Sequence, residues 1–270
     1  RWNGSTVFYW NCGEPWKFKR SFAREQFERL VYRVINFLVT GTPRIKEAYS
    51  REYNISQDKI KILPNWTNIK RFVVVYEASR SLRNKLDIDP STKVILFVHR
   101  LSKRKGADLI IPVFQELKQK NDNVVILVIG AGPEEQILSK LIIDDNLMKD
   151  IRLLGPVSNS KIQEYFSLAD VFFMPSREEG FPRVLLEAMT MGVPFVACDV
   201  GGVRDIVPSE AQQYILDSND PHLLADAMQK ILMLKSDERT KLNSALIKWA
   251  SQYDIKQIIH RFFELIYENN

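Results

Sequence analysis

The chain has 270 residues, 45% of them hydrophobic and 26% charged, enough for a sizeable core in one large domain or two small ones. No apolar run approaches the ~20 residues a membrane span needs, no signal peptide is visible in the sequence, and Cys12 and Cys198 are too isolated for a disulfide framework or a zinc site. The net charge of +5 is unevenly placed: residues 1–67 hold 12 Lys/Arg against 6 Asp/Glu, and residues 68–270 hold 26 against 27.

Two isolated cysteines make a reducing, cytoplasmic setting the default. The triplets at Asn3-Gly4-Ser5, Asn54-Ile55-Ser56 and Asn65-Trp66-Thr67 match the N-glycosylation pattern, which has no meaning there. The basic excess belongs entirely to the first quarter of the chain, which suggests a region with its own partner or parent domain.

Thr6 to Trp10 (TVFYW) reads as a buried strand. Residues 20–38 follow a helical period that puts Phe22, Phe27, Leu30, Val34 and Phe37/Leu38 on one side. The overlapping stretch KFKRSFAREQFERLVYRV (17–34) carries Lys17, Lys19, Arg20, Arg24, Arg29 and Arg33, so two readings stay open: a membrane-surface helix, or a domain helix with a solvated basic face. Thr42-Pro43 starts a second helix, with Thr as N-cap and Pro in the first turn. Lys59 to Leu63 is a short strand ended by Pro64-Asn65.

From residue 93 a regular alternation begins. Strands at 93–98, 124–130, 151–155, 170–175 and 194–199 alternate with helices near 106–119, 133–143, 159–168 and 182–191. Helices over 221–235 and 237–268 close the chain. Continuous apolar strands separated by helices indicate an α/β, doubly wound parallel sheet. In such sheets ligands lie beyond the carboxyl ends of the strands, which selects the loops 99–105, 130–135, 156–160, 175–183 and 199–205.

Loop 99–105 (HRLSKRK) places Arg100 and Lys105 before a helix start, where cations and free N–H groups suit a diphosphate; a solvated basic loop is the alternative. GAGPEE has Glu135 where a dinucleotide turn needs its third glycine, so Gly130 and Gly132 read as a tight turn that a ligand can approach. Gly201-Gly202 makes another such loop or a plain turn, and Asp205 opens the next segment as a cap.

The stretch REEGFPRVLLEAMTMG (177–192) carries the most information. Pro182 suits a first helical turn, Gly192 a C-terminal stop, and residues 180–184 would then show unpaired N–H groups to the crevice. Glu179 precedes the helix. Glu187 lies within it with its side chain leaning back toward the N-terminus. An anion-binding helix start flanked by two acceptors fits a ligand with hydroxyls at both ends and phosphates between. Glycosidases instead set two carboxyls about one bond at ~5–10 Å. Glu178 falls out of register and reads as solvated. His99, His222 and His260 show no metal-ligand spacing, and no P-loop, G-x-S-x-G or zinc signature occurs.

In order along the chain, KIKILPNWTN, HRLSKRKGADLII, VIGAGPE, LLGPVS and ADVFFMPSREEGFPRVLLEAMTMGVPFVACDVGG resemble the donor-binding half of retaining glycosyltransferases of family 4, within the glycosyl transferases group 1 and the two-domain GT-B architecture. The similarity spans roughly residues 35–210. It implies a hexosyltransferase that moves a sugar, with retention, from a nucleotide-diphosphate sugar to a glycan or lipid-linked acceptor in polysaccharide or glycoconjugate biosynthesis. It implies no separate cofactor, no metal and no nucleic-acid partner.

By the same resemblance Glu179 contacts the donor sugar, Glu187 holds the ribose, and Arg100 and Lys105 bind the diphosphate with backbone help from Gly180, Phe181, Pro182, Arg183 and Val184. Gly130 and Gly132 approach the donor, and Pro156, Val157 and Ser158 lie near the nucleobase. Residues 1–67 then form the last part of an acceptor-binding domain, 68–250 the Rossmann-like donor domain, and 251–270 a helix crossing back to the first. The basic 1–67 region would touch an anionic membrane at its cytoplasmic face.

The sequence departs from the family in three places. His99 replaces the glycine of a G-R-L motif and narrows that loop. Asn65-Trp66-Thr67-Asn68 replaces N-G-V-D and bears on the linker. Asn11 stands where many relatives carry a histidine near the sugar, so no catalytic histidine is assigned. Two alternatives remain, a non-catalytic nucleotide- or sugar-binding module and a sugar-nucleotide epimerase of the same architecture.

Overall fold

A computed structural model describes residues 5–73 and 76–268 of the chain. Asn3 and Gly4 of the first glycosylation triplet lie outside the described residues. Two parallel sheets organise the molecule. The first has β1 (Phe8–Trp10), β2 (Phe37–Thr40) and β3 (Ile60–Ile62) in that order, joined by α1 (Phe22–Val34) and α2 (Pro43–Tyr53). Phe8 pairs with Phe37 and Leu38 with Ile60.

The second sheet holds β4 (Lys93–Val98), β5 (Val124–Ile129), β6 (Ile151–Gly155), β7 (Val171–Met174), β8 (Phe195–Cys198) and β9 (Ile215–Leu216). Its spatial order is β6-β5-β4-β7-β8-β9, all parallel. The chain therefore winds outward from β4 to β6, crosses back to β7 and winds outward the other way. The reversal between β4 and β7 opens a crevice at their carboxyl ends. Every residue of β5, β7 and β8 is buried, as a sheet covered on both faces requires.

Helices α4 (Ile110–Lys118), α5 (Glu135–Asp144), α6 (Ile162–Phe166), α7 (Arg183–Thr190) and α8 (Pro221–Leu232) follow the strands, and α3 (Tyr76–Lys85) leads into β4. Helix α7 is held by four apolar side chains, Leu185, Leu186, Ala188 and Met189, each fully buried. The larger of these contribute about 1.5–3 kcal/mol apiece. Gly192 stops the helix at φ +67, where a Cβ would press on Ile247 of α9 (Ser236–Ala250).

The reading of residues 20–38 as one helix is corrected. Helix α1 ends at Val34, Ile35 turns extended at ψ 155, and Phe37 enters β2. Backbone N–H groups of Asn36 and Phe37 both donate to Val7 O, pulling that segment alongside β1. The apolar side inferred for α1 is also not its buried side. Tyr32 packs with Leu38, Ile45, Tyr49 and Ile60, whereas Phe22, Phe27, Leu30 and Val34 are exposed. A cluster of edge-on tyrosine rings claims the inner face instead.

The single helix expected over 237–268 is broken at Ser251–Tyr253 by a 3-10 turn, after which Asp254 is extended. This turn redirects α10 (Ile255–Tyr267) onto the first sheet, where Ile258, Phe262 and Leu265 cover Val39 and Leu63. Thr67 stitches the two segments: its N–H donates to Tyr253 O and its carbonyl accepts from Ile255 N. Helix α3 and strand β9 are two elements that the sequence pattern does not reveal. No helix among the described residues is long and apolar enough to cross a membrane.

Candidate functional site

The loops after β4, β5, β6 and β7 meet around an open cavity of about 560 Å³. Its floor is the start of α7. Pro182 occupies the N-cap, not the first turn as read from sequence, and its side chain offers no cap hydrogen bond. The N–H groups of Arg183 and Val184 have no intrahelical acceptor, and both residues line the cavity. The helix start thus presents donors and the positive end of the dipole to whatever fills the space.

The loop before α7 is held in place by backbone packing. Asn65 Nδ2 donates to Phe181 O at 3.3 Å, and the buried Phe181 ring meets Tyr253 edge-on at 5.8 Å. Gly180 lies so close to Cys12 that a Cβ would overlap the Cys12 carbonyl oxygen. Gly201 and Gly202 serve this loop too, which corrects their reading as a ligand approach. Gly202 N donates to Gly180 O at 3.1 Å, and a Cβ on Gly201, at φ +56, would overlap Glu179 O. Gly201→Ala is therefore expected to lose roughly 2 kcal/mol or more in chemical denaturation, from the left-handed backbone and the collision together. Gly155→Ala, at φ +67 with nothing near its Cβ, should lose only about 1 kcal/mol.

Glu179 is buried, 8% exposed, at the wall of the cavity. Its Oε1 pairs with Lys105 Nζ at 2.7 Å and accepts from Ser176 Oγ at 2.8 Å, with His99 Nε2 at 3.0 Å. Burial pushes this carboxyl up, but the His99 hydrogen bond and the Lys105 charge prevail, and its pKa lies below the usual glutamate value. Glu187 faces the same cavity one turn into α7 and is in the opposite state. Burial holds its pKa above the usual value against the weaker pull of Arg183 and Arg71. No hydrogen-bond donor among the described residues reaches it.

Of the residues singled out from sequence, Arg100, Gly130, Pro156, Val157, Glu179, Phe181, Pro182, Arg183, Val184 and Glu187 share the cavity wall. Four stand elsewhere. Lys105 lines the neighbouring small cavity, its Nζ paired with Glu179 and also donating to Glu178 O at 2.9 Å. Gly132 abuts the Leu101 backbone, so its missing Cβ accommodates protein rather than ligand, and Gly130 meets His99 O in the same way. Ser158 points to Ser160 Oγ at 3.0 Å, and Gly180 faces Cys12.

Two readings of neighbouring acids are revised. Glu178 is not simply solvated: it stands 3.7 Å from Arg104 beside a small cavity of about 100 Å³ that Glu14 and Phe18 also line. Asp205 caps a helix, but that of the other sheet, accepting from Arg44 N at 3.0 Å. Arg44 also reaches Asp199 at 2.6 Å, so α2 is tied to the loop after β8.

Sequence reasoning missed His99, Asn65 and Asn159 as wall residues. The rule that ligands lie past strand ends selects the loops that hold His99 and Asn159, but nothing in the sequence gives either residue a role. Asn65 carries no local signal, since it reaches the cavity only through the path of the linker.

This geometry belongs to a chain with recognisable relatives. Residues 78–249 match the model of the family described as glycosyl transferases group 1. A D-inositol 3-phosphate glycosyltransferase of Corynebacterium urealyticum is 28% identical over 221 residues, 79% of this chain and 52% of that protein. A GDP-mannose-dependent alpha-(1-6)-phosphatidylinositol monomannoside mannosyltransferase of Mycobacterium tuberculosis is 27% identical over 199 residues, 71% of this chain and 51% of that one. This chain thus spans about half the length of these relatives. Among solved structures, the Anabaena protein HepE in complex with UDP and glucose superposes with a TM-score of 0.84 at 20% identity, covering 97% of this chain and 71% of the other. That likeness shows the fold: parallel, Rossmann-like sheets of the GT-B type.

Proposed function

The chain belongs to the glycosyl transferases group 1 family, and from that membership we propose that its cavity binds a nucleotide-diphosphate sugar and passes the sugar, with retention of configuration, to a glycan or lipid-linked acceptor, as family 4 enzymes do. One observation carries the reading: Glu179, Glu187 and the uncapped start of α7 converge on one cavity at the reversal of the sheet.

In this reading the diphosphate lies against the first turn of α7, with Arg100 and Arg183 beside it. Negative charge grows on the departing phosphate oxygen during transfer. Fixed N–H dipoles and cations already aimed there stabilise that charge without reorganising, an effect worth several kcal/mol. Glu187 accepts hydrogen bonds from the ribose hydroxyls, and the segment Pro156–Val157 faces the base. Glu179 accepts from a hydroxyl of the sugar, and Lys105 keeps that carboxylate ionised and in place. The bond from the sugar's anomeric carbon to phosphate breaks as the bond to the acceptor oxygen forms on the same face. The acceptor's proton passes to the departing phosphate oxygen.

Calorimetry with UDP, GDP and ADP and their glucose or mannose esters tests the reading. The M. tuberculosis relative is named for GDP-mannose and the Anabaena structure holds UDP, so both nucleotides belong in the panel. Binding of at least one diphosphate at micromolar affinity is expected, with slow release of free sugar from the matching ester. Binding by none would sink the proposal. Conversion of the ester to its epimer without release would favour an epimerase.

A further inference from the structure

Three donors converge on a single oxygen of Glu179, and only one of them shares the cavity wall with it. Lys105 at 2.7 Å and Ser176 at 2.8 Å hold Oε1, and neither residue lines the cavity. His99 alone among them also lines the cavity. Its side chain is 22% exposed and sits at the end of β4.

The ring's tautomer follows from its neighbours. Nδ1 accepts the Arg100 backbone N–H at 2.8 Å, so it carries no proton. The ring proton therefore sits on Nε2, which donates to Glu179 Oε1 at 3.0 Å. With three donors on Oε1 that oxygen has nothing left to offer. No donor among the described residues reaches Oε2, which leaves Oε2 as the unpaired acceptor of Glu179.

We propose that His99 is a positioning and specificity residue for the donor sugar, an assignment that rests on the nucleotide-sugar reading above. Its Nε2–H turns Glu179 so that only Oε2 is presented, and its ring fills the wall beside that oxygen. The site then takes a sugar with a free hydroxyl facing Oε2. A glycine at position 99 would leave Lys105 and Ser176 in place but would free the carboxylate to swing into the emptied space. The nucleotide half of the ligand, at Glu187 and the start of α7, would not feel the change.

The test is calorimetry on the 270-residue chain with UDP and UDP-glucose, or GDP and GDP-mannose where guanine is preferred. His99→Ala and His99→Gly are expected to weaken the sugar ester about tenfold, one charge-assisted hydrogen bond's worth. Free diphosphate should bind within twofold of the wild type, which also shows that the variants fold. His99→Gln, whose amide Nε2 can donate to Oε1, should recover most of the loss. Equal weakening of ester and diphosphate, an unchanged ester affinity, or no rescue by glutamine would each overturn the proposal. A wild-type chain that binds neither ligand refutes the underlying reading instead, and the role of His99 falls with it.

Discussion

Lys105→Ala is expected to cost roughly 3 kcal/mol of folding stability at neutral pH, because it breaks a buried ion pair from one side. The side chains of Lys105 and Glu179 are 11% and 7% exposed and stand 2.7 Å apart. An exposed pair would be worth well under half as much. Without the ammonium, Glu179 keeps only His99 and Ser176, and desolvation, the largest influence on its carboxyl, is left less opposed. The pH dependence follows from the sign of the shift. In the wild type the carboxyl pKa lies below that of the unfolded chain. Its contribution is therefore present above the ordinary value of 4.5 and is lost as pH falls through the lower, folded value. In the variant the folded pKa rises, so protonation relieves the buried charge at a higher pH. Urea denaturation should show the gap between wild type and Lys105→Ala widest near pH 7 and narrower toward pH 4.5. Adding Glu179→Gln to Lys105→Ala should restore part of the stability, since the charge left uncompensated is gone. A small, pH-independent loss would refute this account.

Much of the frame was legible because its signals are local. The runs VILFV, VVILVI, VFFM and FVAC are uninterrupted and apolar, as strands covered on both faces must be, and each lies in a strand of the second sheet. Gly192 announced the end of α7 because its backbone requires a left-handed conformation. Helix α3 was hidden because its sequence is mostly polar and, among its described side chains, only Leu82 enters the core. Strand β9 has two residues and leaves no period to read. In α1 the pattern misled, because the stripe Phe27, Leu30, Val34 faces out while tyrosines fill the inner side.

The site divided along the same line. Glu179 and Glu187 could be placed because one loop and one helix carry both. The partner of Lys105 could not, since 74 residues separate it from Glu179 and only the sheet order brings β4 beside β7. That neighbourhood adds a partner to Lys105: the cation expected at a diphosphate pairs with a buried carboxylate. The role of His99 was invisible for the same reason, since its partner lies across the crevice on the loop after β7.

Glu187→Gln should move stability and ligand binding in opposite directions. The carboxyl is desolvated, and Arg183 and Arg71 do not make up the difference, so its folded pKa lies above that of the unfolded chain. A glutamate in that state weakens the fold at any pH where it is ionised. Its cost shrinks as pH falls through the raised folded value and is gone below the ordinary value of 4.5. Glutamine removes the charge and keeps the shape, so the variant should melt slightly higher than the wild type near pH 7 and lose that advantage near pH 4.5. Binding should go the other way. A carboxylate accepting from two neighbouring hydroxyls contributes about 1.5–3 kcal/mol per charge-assisted bond, so the diphosphate that the wild type binds should bind the variant about 10- to 100-fold more weakly. The wild type's own affinity should fall as acid neutralises Glu187, and the variant's should not. Thermal melts and calorimetry at pH 7 and 5 read both effects. A lower melting temperature with unchanged affinity would make Glu187 a structural residue. The expected pair of results would instead mark a carboxylate kept buried, at a cost to the fold, for a ligand's hydroxyls.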